Sequence, residues 1–207
     1  MSKPKNVDEF IAKNRAAVAA NPDCGTSHYN LAVGLLGLKK YEEAKRELMA
    51  AVNCSPTLAE AYVLLGGISM KEGDLEGCLK YNKMAINSRA GFAEGHGNIG
   101  FVYLQMGKID DAVYHLEKAT RWNPNFLQAL ANLANAYLMQ GKVDESIETN
   151  IKALEAEPNF PIAHNNLAIA YLEKGLTDLA VKHCDKAVEL GYEVPKEILS
   201  EIDKYRS

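Results

Sequence analysis

Prolines stand at Pro22, Pro56, Pro124 and Pro158, separated by 34, 68 and 34 residues. A chain that returns to one residue at one interval is built from a single unit used repeatedly. Blocks beginning at Gly25, Ala59, Ala93, Leu127 and Pro161 bring residues 25–194 into register with no insertion or deletion. The seventh position of the blocks holds Leu31, Leu65, Ile99, Leu133 and Leu167, and the eighth holds Ala32, Gly66, Gly100, Ala134 and Ala168. A large residue beside a small one lets two helices approach closely. Alanine fills every twenty-seventh position, from Ala51 through Ala85, Ala119 and Ala153 to Ala187. Midway through four blocks come Gly73, Gly107, Gly141 and Gly175, where a helix needs a residue free to take positive φ in order to stop. Apolar spacings of three and four on either side predict two amphipathic helices per block.

The period, the proline and these columns resemble the tetratricopeptide repeat family, whose 34-residue helix-turn-helix unit carries a W-x2-L-G-x2-Y, A-x3-F and P pattern. The resemblance implies an all-α fold, a right-handed superhelical solenoid of antiparallel helix pairs. Five full repeats are expected at 25–58, 59–92, 93–126, 127–160 and 161–194. The fourth position departs from the pattern, holding His28, Tyr62, His96, Leu130 and His164 instead of tryptophan. Ser69, Asn82 and Ala90 make the second block the least regular, and it is expected to be the softest.

The ends of a solenoid must cover an apolar face. Val7, Phe10, Ile11, Ala17 and Val18 line one side of a helix in register with the second helix of a repeat, so residues 7–24 read as a capping half repeat after a disordered stretch at 1–6. Pro195 suits a first helical position, and Ile198, Leu199, Ile202 and Tyr205 form a stripe, so 195–207 reads as a capping helix.

Net charge is −4 without a long run of like charges, which argues against nucleic acid as a partner. The amino terminus MSKPKNVDEF lacks the apolar stretch of a signal sequence, so neither membrane insertion nor secretion is expected and a cytoplasmic location is. Cys54, Cys78 and Cys184 fall in packing columns and are expected to be buried; Cys24 falls in a turn with no cation beside it. His28, His96 and His164 share a column but are two blocks apart, too far to ligate one ion. Their expected role is packing, with a ring nitrogen bonded to a neighbour, and His115 and His183 show no partner motif. No catalytic triad, phosphate loop or carboxylate pair is identifiable, so no catalysis, metal or cofactor is expected.

In the family that the chain resembles, first helices line a concave groove through their second, fifth, sixth, ninth, twelfth and thirteenth positions. The sixth reads Asn30, Leu64, Asn98, Asn132 and Asn166. A carboxamide both donates and accepts, so this row is suited to holding a peptide backbone. It is similar to the asparagine ladder of the O-linked N-acetylglucosamine transferases. Tyr29, Asn135 and Asn165 join the groove at the fifth and ninth positions, Phe101 between Gly67 and Gly97 offers a pocket for a hydrophobic anchor, and Glu60 and Glu94 select charge. The basic clamp by which a chaperone-tail binder of the family holds a terminal carboxylate is replaced by Tyr29, Val33, Leu64, Glu94 and Asn98. The expected function is therefore an adaptor or scaffold taking a neutral to basic peptide or protein segment, as a monomer or weak homodimer. The alternatives are a self-assembling structural scaffold and a small-molecule binder at the Gly67–Phe101 pocket.

Overall fold

The computed structural model describes residues 6–206. Residues 1–5 and 207, the outermost parts of the stretches assigned above to a disordered leader and a capping helix, lie outside the described residues. The described residues form twelve α-helices and no strand: α1 (Val7–Ala20), α2 (Gly25–Gly37), α3 (Tyr41–Cys54), α4 (Ala59–Lys71), α5 (Leu75–Ser88), α6 (Ala93–Gln105), α7 (Ile109–Trp122), α8 (Leu127–Met139), α9 (Val143–Ala156), α10 (Pro161–Glu173), α11 (Thr177–Glu189) and α12 (Lys196–Asp203). The first helix of every block begins on the first residue of the 34-residue register. Asn6, assigned from the sequence to the disordered leader, caps α1 by accepting from the Glu9 N–H at 2.8 Å, satisfying one of the donors a helix start leaves open.

Each hairpin closes in one way. Lys40, Asp74, Lys108, Lys142 and Leu176 donate their N–H to the carbonyl five residues back, on Leu35, Ser69, Tyr103, Tyr137 and Tyr171, each at 2.9 Å. This is the six-to-one bond of a Schellman motif, which requires a left-handed residue just before the donor. Gly73, Gly107, Gly141 and Gly175 supply it with φ between 71° and 78°; the first block uses Lys39 at φ 59°. A side chain there crowds its own backbone, so Lys39→Gly is expected to gain about 0.5–1 kcal/mol in urea unfolding. An unchanged midpoint would show the turn to be indifferent to its central residue.

The chain divides into two compact units, residues 1–98 and 99–207. In the first unit, α1 to α5 pack around Leu31, Leu35, Leu48 and Leu65, all at most 3 % exposed. α1 is tied down by Phe10 and Ile11, which lie where a side chain on Gly34 would stand. The second block, expected to be soft, encloses two of its three irregular residues, Ser69 at 2 % and Asn82 at 0 % exposed, while Ala90 is exposed. Gly66 leaves that room, since a Cβ on it would meet Asn82 Nδ2 at 2.4 Å.

The second unit is built of successive apolar clusters. Leu116, Ala119 and Leu133 join α7 to α8. Ile147, Leu167 and Ala170 join α9 to α10. Cys184, Ala187 and Ile202 join α11 to α12. The five alanines of the twenty-seventh column are all 0 % exposed, as helices in close contact require.

Candidate functional site

Surface exposure separates the groove columns. The second, sixth, ninth and thirteenth positions, spaced as i, i+4, i+7 and i+11, form one helical stripe. In the second unit this stripe comprises Gln128, Asn132, Asn135 and Met139 on α8 and Ile162, Asn166, Ile169 and Glu173 on α10, all exposed or half-buried. In the first unit it comprises Asn30 and Val33 on α2 and Glu60, Leu64, Gly67 and Lys71 on α4. The fifth column turns inward instead. Tyr29 is half-buried and packed against the core of the first unit, and Asn165 is 5 % exposed with an Oδ1 that has no accessible surface. Asn165, assigned to the groove from the sequence, is thus enclosed in this structure and not part of the exposed stripe.

The sixth-position asparagines are not equivalent. Asn98 donates from Nδ2 to Asn82 Oδ1 at 3.0 Å, and Asn166 donates from Nδ2 to the Ala131 carbonyl at 3.3 Å. Asn132 accepts at Oδ1 from Gln128 Nε2 at 3.4 Å. Asn135 is exposed, whereas Phe101 is half-buried. Gly67 is exposed, with nothing within 4 Å of where a Cβ would stand, whereas Gly97 is buried and does not open to solvent.

Glu60 was expected to select charge, but Arg89 Nη1 lies 2.6 Å from its Oε1. Arg89 in turn stacks over Phe92 at 4.0 Å. Its carboxylate is therefore neutralised within the unit. Glu94 is exposed on α6. Across α8 and α10 the stripe carries one charge, Glu173.

The histidines of the fourth column are each 8 % exposed. For His28 and His164 one partner comes from the twenty-third column, nineteen residues later, and the other is a proline carbonyl six residues earlier. His28 Nε2 meets the Pro22 carbonyl at 2.8 Å and its Nδ1 meets Glu47 Oε2 at 2.6 Å. Both partners accept only, so the ring carries both protons. Burial is the largest single influence and opposes that charge, but the bonds to Glu47 and to the Pro22 carbonyl together with the Glu47 charge outweigh it, and the His28 pKa is raised. His164 Nε2 donates to the Pro158 carbonyl at 3.1 Å, so its Nδ1 accepts from His183 Nδ1 at 2.9 Å. His183 thus has the partner that the sequence did not reveal. Burial and the neighbouring His164 hold its pKa down at about 4.

The two histidines impose opposite pH dependences. His183 has a folded pKa below the unfolded value near 6.5, so the unfolded chain binds the proton first as pH falls. Its contribution is present above about pH 6.5 and lost down to about pH 4, an expected loss of about 1–2 kcal/mol once solvent screening is allowed for. His28, raised instead, contributes below about pH 6.5 and loses its contribution as pH rises through its folded pKa. Urea midpoints at pH 7.5, 5.5 and 4.5 test this. The gap between wild type and His183→Gln should shrink toward low pH while the gap for His28→Gln grows, and parallel curves would contradict the assignment.

Two cavities lie in the second unit beside fourth-column residues. One of about 390 Å³ is lined by Glu117, Arg121, Leu130, Tyr137, Thr149 and Lys152. The other, of about 570 Å³, is lined by Pro158, His164, Lys182, His183 and residues that follow on α11. Among the described residues no group of three or more His, Cys, Asp or Glu side chains is placed to hold a metal ion, and no helix is long and apolar enough to cross a membrane.

The cysteines divide differently from the expectation. Cys78 and Cys184 are buried, and burial pushes the Cys78 thiol up to about 11. Cys54 is exposed on the last turn of α3, its Sγ 3.8 Å from the Pro22 carbonyl. Hydrogen bonds from Ser27 at the start of α2, with smaller help from Thr26 and the charge of His28, lower the Cys24 pKa, although the sequence showed no cation beside it.

Two models of the tetratricopeptide repeat match the sequence, at residues 103–159 and 151–182. No curated protein matches it. Solved structures with the same fold include PilF of Pseudomonas aeruginosa, 17 % identical with a TM-score of 0.83 over 97 % of this chain and 90 % of that one. YrrB, described as a TPR protein with an unusual peptide-binding site, is 18 % identical with a TM-score of 0.73 over 92 % and 97 % of the two chains. PilW, described as a type IV pilus biogenesis factor, is 19 % identical with a TM-score of 0.75 over 87 % and 84 %.

Proposed function

The chain is a tetratricopeptide repeat protein, and we propose that it is a non-catalytic adaptor whose first-helix stripe binds a segment of a partner protein. The observation that carries this reading is the stripe across α8 and α10. Gln128, Asn132, Asn135 and Asn166 offer carboxamides between the apolar Met139, Ile162 and Ile169, with only Glu173 charged. Such a face has little to offer a charged partner, and much to offer a main chain with apolar side chains. The peptide-binding site ascribed to YrrB supports the same class of role. The partner is a neutral to basic segment. With Glu60 satisfied by Arg89, the exposed Glu94 carries the acidic preference.

One observation favours a second reading. Tyr114 and Trp122 are 54 % and 59 % exposed on α7, eight residues apart on one helical face, with Lys118 Nζ bonded to the Tyr114 hydroxyl at 2.6 Å between them. Exposed aromatics beside a cation are typical of interface anchors. Capture from native lysate by wild type, by Asn132→Ala/Asn166→Ala and by Tyr114→Ala/Trp122→Ala separates the two. The stripe reading expects the first variant to lose the captured protein and the second to retain it; the reverse would move the function to α7.

A further inference from the structure

Asparagine occurs at positions 14, 82 and 150, spaced by 68 residues, or two blocks. Sixteen residues after each comes a member of the carboxamide row: Asn30, Asn98 and Asn166. The same matching holds in apolar form at the row's one break. Leu64 follows Leu48 by sixteen residues and packs against the cluster that contains it. Only Asn132 lacks a matching residue, because Leu116 stands sixteen positions before it.

The upstream asparagines are all held alike. Nδ2 of Asn14 donates to the Phe10 carbonyl at 2.8 Å, that of Asn82 to Cys78 at 2.9 Å, and that of Asn150 to Ser146 at 3.0 Å. The three side chains are 7 %, 0 % and 0 % exposed. With the amide tied to its own helix, each has its oxygen left to offer. At Asn82 that oxygen is taken by the amide of Asn98. At Asn150 it is buried without a partner, while the Asn166 amide lies inward on the Ala131 carbonyl.

We infer that Asn14, Asn82 and Asn150 are positioning residues that set the polarity of the carboxamide row. Asn82 turns its anchored oxygen toward the following first helix and draws the amide of Asn98 inward. Asn14 and Asn150, anchored alike, stand in the same register behind Asn30 and Asn166. The Asn166 amide is turned inward onto the Ala131 carbonyl, so that Asn98 and Asn166 show a carbonyl oxygen to the stripe. Asn132 has no such oxygen behind it. Its own Oδ1 is occupied by Gln128, so it shows its amide. Within the second unit the stripe then offers a donor at Asn132 and an acceptor at Asn166. That pair complements the C=O and N–H of an extended peptide backbone. The outward half rests on the adaptor reading; the inward bonds do not.

The test needs no partner, so its failure is distinct from failure of the adaptor reading. In ¹⁵N-labelled protein the Asn98 side-chain amide is followed by hydrogen exchange in wild type and in Asn82→Leu. Leucine fills the same column at Leu48 and Leu116, and at Leu116 it packs over Gly100 as Asn82 does over Gly66. The expected result is at least tenfold faster exchange of the Asn98 side-chain amide, its resonance moving to the position of a free carboxamide, with backbone exchange in α6 unchanged. Asn82→Ala, read at the same Asn98 amide, provides a second variant if the first does not fold. Equal side-chain exchange with and without the upstream asparagine would overturn the inference.

Discussion

Leu116→Ala is expected to cost about 3–4 kcal/mol of unfolding free energy, because Leu116 is 0 % exposed and its removal opens a cavity that the surrounding helices cannot fill. Gly100→Ala should cost about 1–3 kcal/mol by the opposite route, since the added Cβ would lie 2.5 Å from Leu116 Cγ and 3.2 Å from the Ala112 carbonyl. The two effects share one space. In the double variant the new methyl enters the volume that leucine vacated, and the combined loss should fall short of the sum by more than about 1 kcal/mol. Urea unfolding of all four proteins measures this directly. Strict additivity would mean that the close fit of the eighth-column glycine against the twenty-fourth-column leucine is not what brings these helices together.

The second large effect concerns α12. Ile202 is 0 % exposed and packs with Cys184 and Ala187 of α11, with Ile198 and Leu199 beside it. Ile202→Asp would place a charge in that apolar site, and releasing the helix costs less than burying the carboxylate. The expected loss is about 3–4 kcal/mol, accompanied by concentration-dependent light scattering as the apolar face of α11 becomes available. The ion pair of Arg206 with Asp185 on the solvent side is too exposed to hold α12 alone. A monomer of unchanged stability would show that α12 is dispensable.

The period and the packing columns were legible because close helix packing admits few residues. Alanine at the twenty-seventh position and glycine in the hairpin turn are dictated by steric limits, and the helices begin where the register begins. Lys39 in a left-handed turn was not legible from composition; the register alone marks it. The carboxamide row was legible as a row, but its internal bonds were not. Asn82 lies sixteen residues before Asn98, and nothing local to either residue announces the other. The burial of Asn165 was not legible, because a groove position read from the pattern of one block carries no information on what covers it. Glu60 seemed a free charge because Arg89, its partner, lies 29 residues away. His164 and His183 likewise sit on different helices, and each looks solitary in sequence.

The central claim is that the stripe on α8 and α10 holds a partner's main chain. The most direct measurement is a calorimetric titration of the segment recovered by capture against wild type, Asn132→Ala/Asn166→Ala and Tyr114→Ala/Trp122→Ala, with helical circular dichroism recorded for each. Loss of two carboxamide contacts to backbone should weaken binding about 10- to 100-fold, while the α7 variant stays within about twofold. Undiminished affinity in a well-folded Asn132→Ala/Asn166→Ala protein would contradict the account.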